Sequence, residues 1–346
     1  MLVILGHSRS PWLERIPGNW IFRNGELGVS VFFVISGFLI THLLLKESIR
    51  DGRISLRRFY LRRSFRIFPP FYAFLAVVAI LGPWMHRVDA TVRGLLVAAT
   101  YSWNYFWAFV SAPEMWSLGH TWSLALEEQF YLLWPLSMKY FGKRTNLRIS
   151  AAVVLLAPLS RVITYFVWPH ARGQVSIMLH TRVDTIMLGC LLSLALHLKV
   201  GERIMGLAMN ASSVVAATLF LLVLNPMGEM RWRGLYTMTI GLTLMAVAVG
   251  VVLLYAVFRH ESVMGVCLNW PVLRHIGVIS YSLYLWQQIF SGPYTGRFPL
   301  NLLWIIACAE LSFWLVEKPS FRLRDVVERR LFPRRTAGRN AASQAV

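Results

Sequence analysis

The sequence predicts an all-α, polytopic membrane protein of about ten transmembrane helices, the first truncated at the N-terminus, with one more segment at or re-entering the interface. Three observations predict it. Apolar runs recur from one end of the chain to the other. Hydrophobic residues make up 56% of the 346 positions and charged residues only 15%, where a soluble domain carries about 25% charge. Basic residues gather between the apolar runs, as the positive-inside rule requires of cytoplasmic connections.

Taken in order, residues 1–7 read as the last part of a first span. A seven-residue remnant is too short to cross a bilayer. Further runs fall at 26–45, 70–85, 94–110, 118–138, 148–168, 176–197, 207–224, 235–258, 272–290 and 298–316. The run at 94–110 is interrupted by Ser102 and Asn104 and followed by Pro113. Charge arithmetic also sets it apart. If the basic connections 46–66 and 139–148 and the basic tail all face the cytoplasm, an even number of crossings separates 66 from 139. The run at 94–110 is therefore expected not to cross, which leaves ten spans with both ends inside. Within 54–70, a helix would place Arg58, Arg62, Arg63 and Arg66 on one side and Tyr60, Leu61, Phe65, Ile67 and Phe68 on the other. That division suits a helix in the interface, with Pro69 and Pro70 opening the next span.

The net charge of +19 does not make this a nucleic-acid-binding chain, because the cations flank the spans and no soluble domain remains to present a groove. Lys46, Arg50, Arg53, Arg57, Arg58, Arg62, Arg63 and Arg66 fill one connection, and Lys318, Arg322, Arg324, Arg329, Arg330, Arg334, Arg335 and Arg339 fill the tail. Cys190, Cys267 and Cys308 sit apart and read as small core residues. They form neither a metal-ligand spacing nor a disulfide framework.

Ionisable groups within spans are costly and mark candidate sites. Here they are His7, His120, Glu127, Glu128, Arg161, His180, Arg182, Asp184 and Glu310. An internal polar network that only holds helices together is the alternative for each. Ser36 and Gly37 are small residues among bulky ones, which admits a close backbone or a ligand. The guanidinium forks of the Arg58–Arg66 block match phosphate oxygens. Their alternative role is purely topological. His120 and Glu127, seven apart, share a helical face, and of the adjacent pair Glu127 and Glu128 at least one must face a polar interior. His180 and Asp184 form a His-x-x-x-Asp spacing of low specificity, while Arg182 and Asp184, two apart, diverge around a helix.

Together and in order these blocks resemble the acyltransferase 3 family of membrane-bound acyltransferases, which modify bacterial surface polysaccharides, lipooligosaccharides and some macrolides. The resemblance runs from His7 through GVSVFFVISGFLI (28–40), Arg63 and Arg66 before Pro-Pro, TWSLALEEQFYLLWP (121–135), TRVDTIMLG (181–189) and ISYSLYLW (279–286) to Val316-Glu-Lys-Pro319. It implies transfer of an acyl group, often acetyl, from cytoplasmic acyl-CoA to a hydroxyl of a sugar or similar acceptor. No cofactor is held permanently and no metal is used; acyl-CoA is the donor substrate. The resemblance implies a membrane-embedded domain over 1–320, a basic cytoplasmic tail over 321–346 with its last residues disordered, and a place in the bacterial plasma membrane. It makes His7 the catalytic histidine, joins Glu127, Arg182 and Asp184 to the site, and gives Arg63 and Arg66, with Ser36 and Gly37 beside them, to the donor.

Two departures stand out. The family carries a basic residue further upstream of its histidine than this sequence begins. Where many members have His after Tyr-Leu-Trp, this chain has Gln287, and no role carries over to it. The length fits the stand-alone form of the family. The expected mechanism has His7 as general base, held neutral by Glu127 or Asp184, with Arg182 at the oxyanion and Arg63 and Arg66 on the CoA phosphates. The rival function is a transporter or flippase that moves a lipid-linked sugar unaltered.

Overall fold

A computed structural model describes residues 2–8, 24–84, 88–110, 115–232, 234–291 and 298–332. All regular structure among them is helical, with no sheet. In chain order the helices used below are α1 (Leu2–His7), α2 (Gly25–Asp51), α3 (Leu56–Leu81), α4 (Val92–Ala99), α5 (Trp103–Val110), α6 (Thr121–Tyr140) and α7 (Lys143–Val167). They continue with α8 (Leu179–Leu198), α9 (Ala211–Trp232), α10 (Gly234–Phe258), α11 (Pro271–Val278), α12 (Ser280–Phe290) and α13 (Leu300–Leu331).

Seven helices among the described residues are long and apolar enough to cross a membrane, rather than about ten: α2, α3, α7, α8, α9, α10 and α13. The protein is a multi-pass membrane protein. The runs that fall short do so for separate reasons. α1 has six residues. α6 is 20 residues long but carries Glu127, Glu128 and Gln129 in its middle. The run at 272–290 breaks at Ile279 into α11 and α12. The run at 94–110 also breaks, into two helices of eight residues. At 1.5 Å per residue each spans only about 12 Å. Gln129 pins this hairpin to α6, exchanging amide hydrogen bonds with Asn104 (3.1 Å both ways) and donating to the Tyr101 carbonyl (2.9 Å).

Packing starts from two glycines. A Cβ on Gly37 of α2 would run into the Ile186 carbonyl of α8, and one on Gly189 of α8 would run into the Val34 carbonyl and the Phe38 amide of α2. With no side chain at either position, the two backbones touch. The helices are parallel, because Arg182 meets Ser30 while Cys190 meets Gly37 further along both. α6 is parallel to α2 as well, with Glu127 at Ser36 and Trp134 at Thr41. The ends of α2, α6 and α8, at Asp51, Tyr140 and Leu198, therefore share one face. The last turns of α13 arrive there too, where Glu328 pairs with Arg62 and with Arg58 (3.5 Å). The basic connections 46–66 and 139–148 and the last turns of α13 thus lie on one side, the arrangement the charge pattern requires.

Two expectations need correction. Residues 54–70 do not make an interfacial helix followed by a new span, because α3 runs unbroken through Pro69 and Pro70. Pro69 has no N–H to offer the Phe65 carbonyl four residues back, and Ser320 of α13 donates to that oxygen instead (2.6 Å). Nearby, the Tyr281 hydroxyl donates to the Ile67 carbonyl (3.0 Å). Nor are all three cysteines core residues: Cys190 is buried, Cys308 half-buried and Cys267 exposed. The boundary at 320/321 falls inside α13, and the expected disorder of the last residues lies outside those described.

Gly189→Leu should force α2 and α8 apart. Thermal unfolding in detergent should show a loss of about 1–3 kcal/mol or more, with falling membrane abundance, whereas Gly206→Leu, where the Cβ meets open space, should leave stability unchanged.

Candidate active site

The middle of α6 faces α2 and α3. Glu127 is buried and accepts from Ser36 Oγ of α2 (2.5 Å) and from the Tyr131 hydroxyl one turn along. Arg63 of α3 approaches the same carboxylate oxygen (3.5 Å), with its guanidinium 3.8 Å from the centre of the Tyr131 ring. The Ser36 and Tyr131 hydroxyl oxygens lie 2.5 Å from each other around that carboxylate oxygen. This cluster answers the question raised by two adjacent glutamates in an apolar helix. Glu127 turns inward to a cation and two hydroxyls, and Glu128, half-buried, keeps one oxygen without a partner.

Arg63 and Arg66, which the sequence assigns together to the donor, separate here. Arg63 is half-buried and committed to Glu127 and Tyr131, whereas Arg66, three residues further along α3 from its basic end, is exposed and forms no ion pair with the described residues. Ser36 is likewise committed to Glu127, and Gly37 to the α2–α8 seam. For Gly37 the close approach of a backbone, one of the two openings its small size allows, is the one realised.

His7 lies elsewhere. α1 packs antiparallel on the start of α2, with Leu2 and Val3 against Gly28 and Gly6 against Gly25. Ser36 is eleven residues further along α2, so His7 sits about 16 Å from the Glu127 cluster along the helix axis. Neither Glu127 nor Asp184 holds the imidazole. Its partner is Gln287 of α12, whose Oε1 lies 3.0 Å from His7 Nδ1. Trp116 meets the imidazole edge-on with ring centres 5.4 Å apart. That indole is fixed in turn, donating from Nε1 to the Ser291 carbonyl (2.6 Å), while Asp89 accepts from the Trp116 and Ser117 amides (2.6 and 2.8 Å). Gln287 is the residue that sequence reasoning missed. The only signal was its departure from a histidine, and an uncharged amide 280 positions from its partner leaves no periodicity to read.

Among the described residues, buried Arg182, Arg161 and Asp184 are in ion pairs, while buried Glu317 accepts from Ser282 and forms none. Arg182, fully buried, reaches Glu26 (3.1 Å) and Ser30 (2.8 Å) of α2. Asp184 diverges to the other side and takes Arg161 (3.0 Å) and the Thr243 hydroxyl (2.6 Å). Arg161 spends its other hydrogens on the carbonyls of Thr181, Met238 and Thr239 and on Thr243, tying α7 and α8 to α10. His180 and Asp184 do not form a dyad, since His180 hydrogen-bonds Tyr105 (3.2 Å) and Thr164 (3.0 Å). His120 is buried against the rings of Phe74 and Tyr284. Glu310 pairs with His275 (2.5 Å). Among the described residues no three His, Cys, Asp or Glu are grouped to hold a metal.

A multi-pass helical bundle with an imidazole at one level and an arginine–glutamate cluster at another is, as a class, a membrane-embedded protein with a polar interior. More particularly, the chain belongs to the acyltransferase domain family, whose model matches residues 1–316. It is 28% identical over 327 residues to the peptidoglycan O-acetyltransferase OatA of Listeria monocytogenes, covering 86% of this chain and 51% of the relative. It is 30% identical over 350 residues to the O-acetyltransferase OatA of Staphylococcus aureus, covering 92% and 54%. It is 28% identical over 334 residues to the putative peptidoglycan O-acetyltransferase YrhL of Bacillus subtilis, covering 87% and 51%. The chain thus spans about half the length of the curated relatives it matches. No solved structure matches it.

Arg161→Met should leave Asp184 buried without its cation, at a cost of about 3–5 kcal/mol. In the double variant with Asp184→Asn part of that loss should return, measured as a double-mutant cycle on thermal unfolding.

Proposed function

We propose that this chain transfers an acetyl group from acetyl-CoA to a hydroxyl of a glycan, with His7 as the general base. Family membership and the names of the relatives support the reaction class. The observation that carries the base is that His7 is engaged through Nδ1, while no described residue hydrogen-bonds its Nε2. A neutral imidazole accepts a proton through the nitrogen that carries none. In the proposed step the glycan oxygen attacks the thioester carbonyl as its proton passes to His7 Nε2. The tetrahedral intermediate then expels the thiolate, which recovers the proton and leaves as free CoA. The C–O bond forms in the first step and the C–S bond breaks in the second, so the products are one ester and one thiol.

The donor end is assigned to the basic face, taken as cytoplasmic because positively charged connections stay on that side. Arg66, exposed and free of an ion pair, is the phosphate ligand of the Arg-x-x-Arg pair in this reading. Arg63 orients Glu127 from within and does not grip the donor. Arg182 and Asp184 act through the helices they join, since their charged groups are already engaged within the bundle.

Two measurements test this reading. His7→Ala, at normal membrane abundance, should lose about 10²–10⁴-fold of acetyl transfer to glycan; retention of the full rate would remove His7 from the mechanism. Arg66→Gln should raise the KM for acetyl-CoA about 10-fold with kcat little changed, in line with loss of one charge-assisted hydrogen bond of ~1.5–3 kcal/mol.

A further inference from the structure

We infer that Gln287 is a positioning residue for His7: its side-chain oxygen holds the imidazole as the Nδ1–H tautomer and leaves Nε2 as the basic nitrogen. The inference rests on the reading of His7 as a base. Gln287 is wholly buried, and its Oε1 accepts from His7 Nδ1 at 3.0 Å. Its amide nitrogen is engaged as well, since Gln287 Nε2 donates to Gln288 Oε1 (3.3 Å), and Gln288 is buried too. α12 cannot readily turn away. The Tyr284 hydroxyl donates to the His120 carbonyl (3.0 Å) at the start of α6, and Ser282 donates to the buried Glu317 of α13. With Trp116 against the imidazole edge-on, the ring is held by one hydrogen bond and one aromatic contact.

The choice of an amide has a chemical consequence. A carboxylate partner would stabilise the imidazolium and raise the pH at which the base becomes available. An amide carries no charge at any working pH, so the His7 tautomer is selected without that shift.

The test combines spectroscopy and kinetics on the full chain in detergent. In ¹⁵N-histidine NMR, with the His7 signal assigned by its loss in His7→Ala, the wild type should show a protonated Nδ1 and an unprotonated Nε2 above pH 7.5. A protonated Nε2 there would overturn the inference whatever the catalytic role of His7. With acetyl-CoA as donor and an N-acetylglucosamine oligomer as acceptor, Gln287→Met should lower kcat about 10-fold or more with the KM for acetyl-CoA unchanged. Gln287→Glu, which keeps an acceptor, should restore most of the rate and move the acid limb of the pH–rate profile upward by about one unit. A Gln287→Met enzyme with wild-type kcat and pH profile would refute the inference. A His7→Ala enzyme with full activity would refute instead the underlying reading of His7, leaving the tautomer to the NMR result.

Discussion

The contact between the α2 and α8 backbones at Gly37 and Gly189 is the constraint on which the polar interior depends. It brings the two helices close enough for Arg182 to reach Ser30 and Glu26 across the seam. Because Ser36 precedes Gly37 directly, the same approach sets the depth and angle at which that hydroxyl meets Glu127. A bulkier residue at either glycine would have to push backbone, which yields far less than a side-chain tip. The Arg182 contacts across this seam thus depend on positions that carry no side chain.

Electrostatics then divides the interior. Within hydrocarbon a lone charge is expensive, and three ion pairs are matched at short range: Arg63 with Glu127, Arg161 with Asp184, Arg182 with Glu26. The imidazole of His7 stands apart from these pairs and keeps a neutral partner. In the proposed chemistry that separation matters. A base beside a carboxylate would hold its proton more tightly and give it up less readily to the departing thiolate. The proposed phosphate-binding role is given to Arg66, which the network leaves without an ion pair among the described residues, so two arginines three apart in the sequence differ in their surroundings.

Much of the fold is legible in the sequence because a bilayer imposes strong rules on it. Long apolar runs and clustered arginines reveal the spanning helices and the shared basic face, and Ser102 and Asn104 mark the segment that stays short. At least one of Glu127 and Glu128 could be assigned an inward orientation because two neighbouring carboxylates cannot both face lipid. Three features were out of reach. The sequence overcounts the long apolar helices because α1 has six residues, α6 carries polar residues in its middle, and the run ending in α12 is interrupted. The continuity of α3 through two prolines depends on Ser320, more than two hundred residues away, and local propensity carries no trace of it. The His7 partner was invisible for a similar reason, as a neutral amide on a distant helix has no pattern that ties it to an imidazole.

Pro69 gives the arginine-bearing helix a debt that it cannot settle alone. The carbonyl it strands is answered by a hydroxyl from the opposite end of the polypeptide, so α3 and α13 are obliged to fold as partners. One consequence is evolutionary. A lineage that replaced Pro69 with a residue bearing an N–H would make α3 self-sufficient and release Ser320 from selection. Proline and hydroxyl should therefore be gained and lost together as the family diverges.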